Sequence, residues 1–485
     1  MVIDEAKGLP YNEARAQSAK GGFTMSQAAA RSKGGFSMTE GSLWKSIFVF
    51  SIPLMLSQVL QVMFNMADVA VVGKFASASA LGSVGSTTTL VTLFTGFLIG
   101  MGSGVNVMIA QHLGAKDEQG VMETVHTSLL VCTLSGLLIT LLCLLLAPGM
   151  LALLNTKPDL MDGAVLYFRI YALGMPALGI FNFGNAVLSA SGDTRRPLVY
   201  LTIAGVLNVA LNLFFVIVCG MAADGVALAS IISQYLSAIL VVLHLARLKD
   251  GCALRLRRLR LYPGRAGKLL ALGIPAGLQN AIFAVANLFI QAGVNSFDSL
   301  MVAGNAAAAN ADSLIYNVMA AFYTACSTFM GQNWGAGRRD RMMKSYFVST
   351  VYSFIAGAVL GILLVIFGET FLSFFTNEPA VADAGMQRIR IMGYSYAFSA
   401  FMDCTIAASR GIGKSFGPTV IVVLGSCVFR VAWVYTIFAH FHTIPSLYLL
   451  YVFSWSLTAA AEIAFFAASW KRMGLHVSVE NRAAA

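Results

Sequence analysis

The chain has 485 residues, a formal net charge of +10, 58% hydrophobic side chains and only 11% charged ones. Soluble domains carry roughly 25% charged residues, so this composition, with a mean hydropathy of +0.75, excludes a soluble globule and points to membrane-buried helices.

Residues 1–40 are polar and rich in Gly, Ala and Ser, and Lys20-Gly21-Gly22-Phe23-Thr24-Met25 is echoed by Lys33-Gly34-Gly35-Phe36-Ser37-Met38. The segment has no apolar signal-peptide core and reads as a disordered cytoplasmic extension. Twelve apolar runs follow, each long enough for a hydrocarbon core of roughly 30 Å. They lie near residues 46–72, 79–109, 124–147, 163–190, 198–219, 225–246, 269–296, 301–330, 345–367, 391–409, 418–438 and 447–470. Three anchors recur in order along them. Ser51-Ile52-Pro53 returns as Gly273-Ile274-Pro275, an offset of 222. Gln111-His112-Leu113-Gly114-Ala115 returns as Gln332-Asn333-Trp334-Gly335-Ala336, and the Gly192…Pro197 loop as Gly413…Pro418, both at 221. Such a duplication is the mark of a transporter built from two homologous halves with a substrate path between them. Six spans per half is an even number, so the second half enters the membrane in the same direction as the first. The expected fold is an all-α integral membrane protein: twelve transmembrane helices in two parallel-repeat, six-helix lobes with a central cavity. The lobes are residues 41–247 and 269–471, joined by a basic linker at 248–268 and followed by a tail at 472–485.

Orientation follows from the basic residues. With both termini inside, 26 of the 32 Lys and Arg fall on the cytoplasmic side, which also explains the net charge without a nucleic-acid partner. The Arg-rich stretch Arg247–Lys268 is then a linker beside anionic headgroups. The seven cysteines show no CxxC spacing, so neither a disulfide framework nor a zinc site is implied.

An acid inside a membrane costs at least about 2.5 kcal/mol at a helix centre and marks an ion or proton site by default. Asp68, Asp403 and Glu462 lie inside predicted spans, and Asp298 and Asp312 near span ends. Gln58, Gln61, Asn65 and Asp68 are spaced by 3, 4 and 3 residues and form one polar stripe on the first helix. A carboxyl among neutral amides on an apolar helix is suited to exchanging protons. The plainer alternative, a helix-end charge beside Lys74, explains one residue but not a stripe. Pro53, about four turns earlier, removes a backbone hydrogen bond and permits a bend; Pro53 and its repeat mate Pro275 are the hinge candidates. On the fifth span Asn208 and Asn212 share a face, either as interhelical glue or as partners for Asp68.

The second half carries different polar equipment. Asp403 stands at the repeat position of Asn182, while Asp68 maps to Ile290 and Asn65 to Asn287. Arg430 on the eleventh span reads as the lone deep cation, which either neutralises Asp403 or Glu462 or meets substrate. Glu462, two turns from Lys471, is placed to snorkel towards the cytoplasm. Twenty-two methionines and aromatics such as Phe283, Phe289, Tyr316, Phe322 and Tyr323 suit a promiscuous pocket for lipophilic cations, although most of them must serve packing. Gly411-Ile412-Gly413-Lys414-Ser415 imitates the tail of a phosphate loop, but Ala408 stands where a glycine is needed and no strand precedes it. Neither an intramembrane catalytic pair nor a hydrolase motif is visible, and an enzyme is not expected. No cofactor is expected beyond a coupling ion.

Several motifs together resemble one family. Met38-Thr39-Glu40-Gly41, Ile52-Pro53, Asp68-Val69-Ala70-Val71-Val72-Gly73, Gln111…Gly114-Ala115, Gly331-Gln332-Asn333-Trp334-Gly335-Ala336, Arg410-Gly411-Ile412-Gly413 and Ser454-Trp455 look like those of MATE (multidrug and toxic compound extrusion) transporters of bacterial type. The resemblance implies an inner-membrane antiporter, both termini cytoplasmic, exporting organic cations in exchange for H+ or Na+. It further implies a coupling cluster at Gln61, Asp68, Asn208, Asn212 and Ser230. Asn212 stands where some members have a second Asp. Sodium-coupled members carry acids on the seventh and tenth helices; here the seventh offers only Gln279, Asn280, Asn287, Gln291 and Asn295, which argues against that site. Candidates for substrate contact in the second lobe are Asp403, Asn287, Gln279, Asn280, Tyr316 and Arg430. A monomer in the lipid bilayer is expected. The runner-up is a lipid-linked oligosaccharide flippase of the same superfamily, which would want a cationic cavity.

Overall fold

The structure, a computed structural model, describes residues 37–483, so the expected disordered extension lies outside the described residues as far as residue 36. Every regular element among the described residues is helical. With a bent pair counted once, these helices make twelve rods of transmembrane length in chain order. The first lobe holds Leu43–Phe75, Ala78–Gly114, Glu118–Leu153, the pair Pro158–Ala172 and Met175–Ala190, Arg195–Val218 and Ala223–Arg247. The second holds Pro263–Val294, Ser299–Gly335, Arg339–Leu372, Pro379–Gly411, Phe416–Phe441 and the helix that opens at Ile444 and runs to Ala483. The seventh helix thus begins inside the segment expected as linker. At the other end of the chain order also starts early: Arg341 donates to the carbonyls of Met38, Glu40 and Gly41, and Met38 is buried.

Nine of the rods, or ten with the bent pair, are apolar enough by composition alone to cross a membrane. The other two, the eighth and tenth, are long but polar. The reason is internal pairing. Arg388 on the tenth donates to Asp312 and Asn305 on the eighth, and Tyr396 donates to Asp312. Two charges that satisfy each other between packed helices need not meet lipid. This corrects two expectations. Asp312 is not a span-end charge but is paired between two packed helices, and Arg430 is not the lone deep cation, since Arg388 and Arg410 are buried as well.

The repeat is visible in the packing. Leu134, Leu138, Leu141 and Leu145 on the third span are exposed, and so are Ile355, Val359, Ile362 and Ile366 at the same spacing on the ninth. Exposed apolar stripes of this kind on membrane-spanning helices are suited to contact with lipid tails. Within each lobe a hydroxyl from the loop after the fourth helix ties down the first: Thr194 donates to the Phe50 carbonyl at 3.1 Å, and Ser415 to the Leu272 carbonyl at 2.8 Å. Helix starts follow ordinary capping chemistry, with Ser77 accepting from Ala80 N, Asp117 from Gly120 N and Asp298 from Met301 N. Proline opens both members of the repeat pair Pro158 and Pro379, where its missing N–H costs nothing.

The lobes meet where the second and seventh spans cross. A Cβ on Gly100 would lie 2.3 Å from Gly277 N, and one on Gly104 2.9 Å from Gly273 N. Only glycine lets the two backbones approach that closely. Asn280 reinforces the crossing by donating to the Gly96 carbonyl at 3.0 Å.

Candidate functional site

Three local features shape a cavity in the first lobe. The first helix runs unbroken through Pro53, with Ser57 donating to the Pro53 carbonyl at 2.9 Å. The fourth span bends by 43° between Ala172 and Met175, next to Pro176, and Tyr167 and Tyr171 on its first segment line the cavity. The fifth span passes into a π-helical turn at Phe214–Val218, two residues after Asn212; such turns recur at functional sites.

The cavity between these elements has a volume of about 350 Å³. The predicted stripe supplies one wall, with Gln61, Asn65 and Asp68 on it. Among the described residues, Asp68 is the one with a carboxyl, guanidinium or ammonium group on the lining. Asn212 Nδ2 donates to Asp68 Oδ1 and, at 3.3 Å, to Asn208 Oδ1. Ser230 Oγ donates to Asp68 Oδ2 at 3.4 Å and accepts from Asn208 Nδ2 at 3.4 Å. Asn208, Asn212 and Ser230 are all buried. The fifth and sixth spans therefore hold the carboxylate through both of its oxygens: Asn212 is a direct partner of Asp68, and Asn208 is interhelical glue that bonds Ser230 on the sixth span and accepts from Asn212. Asn212 Oδ1 is buried with no hydrogen-bond partner, an idle acceptor beside the acid.

The duplication extends to family level. The chain matches the profile described as MatE over residues 53–214 and again over 275–436. The chain belongs to the MatE family. It is a multi-pass membrane transporter and not an enzyme, as the MATE resemblance implied. It is 28% identical to a probable multidrug resistance protein, YpnP, of Bacillus subtilis, over 74% of this chain and 80% of that protein. A FAD transporter of Shewanella oneidensis is 24% identical over 66% of this chain and 72% of its own length. Among solved structures, an outward-facing multidrug resistance MATE family transporter of the MOP superfamily superposes with a TM-score of 0.84 at 20% identity, covering 91% of this chain and 98% of the other. At that identity the likeness is one of fold.

The MatE fold disperses the second-lobe candidates. Gln279 is buried and accepts from Arg410 at 2.7 Å, and Asn280 belongs to the lobe crossing. Arg430 donates to Ser454 at 3.0 Å, with its guanidinium 4.6 Å from the Tyr451 ring centroid and within 6 Å of Phe283 and Trp455. It pairs with neither Asp403 nor Glu462. Asp403 is half-buried, with Arg410, Arg430 and Tyr316 as electrostatic neighbours. Asn287 and Tyr316 are exposed. Glu462 does not snorkel: it is fully buried, and neither carboxyl oxygen has a hydrogen-bond partner. None of these residues lines the first-lobe cavity.

Sequence reasoning missed part of the lining. Thr88, Thr92 and Thr95 on the second span and Tyr167 and Tyr171 on the fourth all border the cavity. The signal was present: 88, 92 and 95 share a helix face, and the tyrosines are i, i+4 with rings stacked at 6.0 Å.

Proposed function

We propose that this protein is a secondary active multidrug efflux antiporter of a bacterial inner membrane, exporting lipophilic organic cations in exchange for H+ or Na+ by alternating access. One observation carries the reading: a single carboxylate on the wall of an otherwise uncharged cavity, with neutral donors on both of its oxygens. An ionised Asp68 gives that space one negative charge, and the Tyr167 and Tyr171 rings and Phe64 beside it offer faces for a lipophilic cation. When the carboxyl takes a proton, the cation loses its counter-charge and leaves. The site offers hydrogen-bond partners to the carboxyl in both states. Asn212 donates to the carboxylate through Nδ2, and after an amide flip its idle Oδ1 accepts from the carboxylic acid. The hydroxyl of Ser230 rotates in the same way. Pro53, which leaves the Val49 carbonyl without its usual helical donor, is where the first helix bends in response.

The names of relatives span drugs and FAD. A phosphate-bearing cargo, whether a dinucleotide or a lipid-linked pyrophosphate, wants a cation in the cavity, and the lining has none among the described residues. That favours the organic cation.

The test is uptake of a fluorescent organic cation into inside-out vesicles, under an imposed proton gradient and separately under a sodium gradient. Gradient-driven uptake in the wild type that is lost in Asp68→Asn, with the variant still monodisperse, is the expected result. Wild-type uptake by Asp68→Asn would sink the coupling role, and no uptake under either gradient would sink the antiporter.

A further inference from the structure

The two lobes clasp each other reciprocally at the side that carries the basic loops. Gln111 Nε2, near the end of the second span, donates to the carbonyl of Gly411, the last residue of the tenth, at 2.8 Å. Gln332 Nε2, near the end of the eighth span, donates to the carbonyl of Ala190, the last residue of the fourth, at 2.7 Å. Donors and acceptors are each separated by the repeat offset, so the pair is one contact made twice about the pseudo-two-fold axis. Both acceptors are helix-end carbonyls, which lack an intrahelical N–H, and each glutamine supplies the missing donor from the opposite lobe. The backbones nearly touch here. A Cβ on Gly114 would lie 1.9 Å from the Gln332 carbonyl oxygen, and one on Gly335 1.9 Å from that of Gln111. One layer further in, Thr328 donates to Asn106 Oδ1 at 2.8 Å, again across the lobes.

We propose that Gln111 and Gln332 are gating residues, forming a two-bond clamp that keeps the basic side closed in this conformation and must release at both points together for the cavity to open there. The proposal rests on the alternating-access reading. Three properties suit a gate. The axis relating the bonds means that rocking one lobe against the other stretches both at once. All four groups are neutral, so opening strands no charge. Water replaces either partner, so each bond biases the equilibrium modestly, by about tenfold.

The test is hydrogen–deuterium exchange on the full-length protein in lipid nanodiscs, comparing the wild type with Gln111→Glu and Gln332→Glu. Each substitution keeps the side-chain shape but sets a carboxylate oxygen against a carbonyl. The reporters are amides held by the helix ends: Ser191, Gly192 and Asp193 in the first lobe, and Ile412, Gly413 and Lys414 in the second. A gate predicts about tenfold faster exchange at both clusters in either single variant, because breaking one bond populates the state in which both are open. A rise confined to the helix end that lost its own donor, or no rise at all, overturns the proposal and leaves the glutamines as local caps. Should the Glu variants not purify as monodisperse protein, Gln111→Ala and Gln332→Ala are read the same way. The readout needs neither cargo nor ion gradient, so it stands apart from the vesicle assay: a protein that fails to move organic cations still answers it.

Discussion

Asp68 and Asp312 are both carboxylates within spans, and their partners separate their roles. Asp68 is held by neutral donors beside a cavity, so its charge is free to change. Asp312 is bound to the Arg388 guanidinium and to the Tyr396 hydroxyl, so its charge is committed. Removing one member of a buried ion pair leaves the other uncompensated, at about 3–5 kcal/mol. Asp312→Asn is therefore expected to lower the thermal midpoint in detergent by many degrees, and Arg388→Met added to it should recover much of the loss. A double variant no more stable than Asp312→Asn alone would show that the pair is not the cause. At this scale the sequence showed Asp68 clearly, because its stripe lies on one helix within eleven residues. The Asp312–Arg388 pair was hidden because its members are 76 residues apart, Asp312 reads as a charge near a span end, and Arg388 lies outside the apolar run that marks the tenth span.

Between elements, the crossing of the second and seventh spans is set by the absence of side chains. Gly100→Ala would drive a methyl group into the Gly277 backbone, which has no flexible end to give way. Overpacking of that kind costs about 1–3 kcal/mol. The control is Gly85→Ala on the same helix, where a Cβ meets nothing within 4 Å and helix propensity favours Ala by up to about 1 kcal/mol. Thermal unfolding in one detergent should therefore move in opposite directions for the two variants; equal shifts would contradict the crossing geometry. Element existence was legible from hydropathy for most spans. The start of the tenth was not, because a search for apolar residues begins at 391 and passes over Arg388 and Arg390, while the helix begins at Pro379.

For the whole molecule, the distribution of basic residues and the even number of spans per lobe predict both ends of the chain on one side. A reporter that works only in the cytoplasm, fused after Ala485, should be active, and alkaline phosphatase fused in the turn at His442 should be active as well. The reverse pattern would invert the assignment of the basic side and with it the side on which the glutamine clamp closes.

Sequence by itself determined the duplication, the membrane class and the polar stripe on the first helix, because each is a periodicity or an offset along one chain. Tertiary structure alone decided which polar groups meet. It joined Asp68 to Asn212 and Ser230 across 144 and 162 residues, enclosed Arg430 among aromatic rings, and matched each glutamine to a helix end in the opposite lobe. In a membrane interior a polar side chain that pairs does so inside the protein or at a water-filled cavity, and the choice among partners depends on how the helices cross, which no local pattern records.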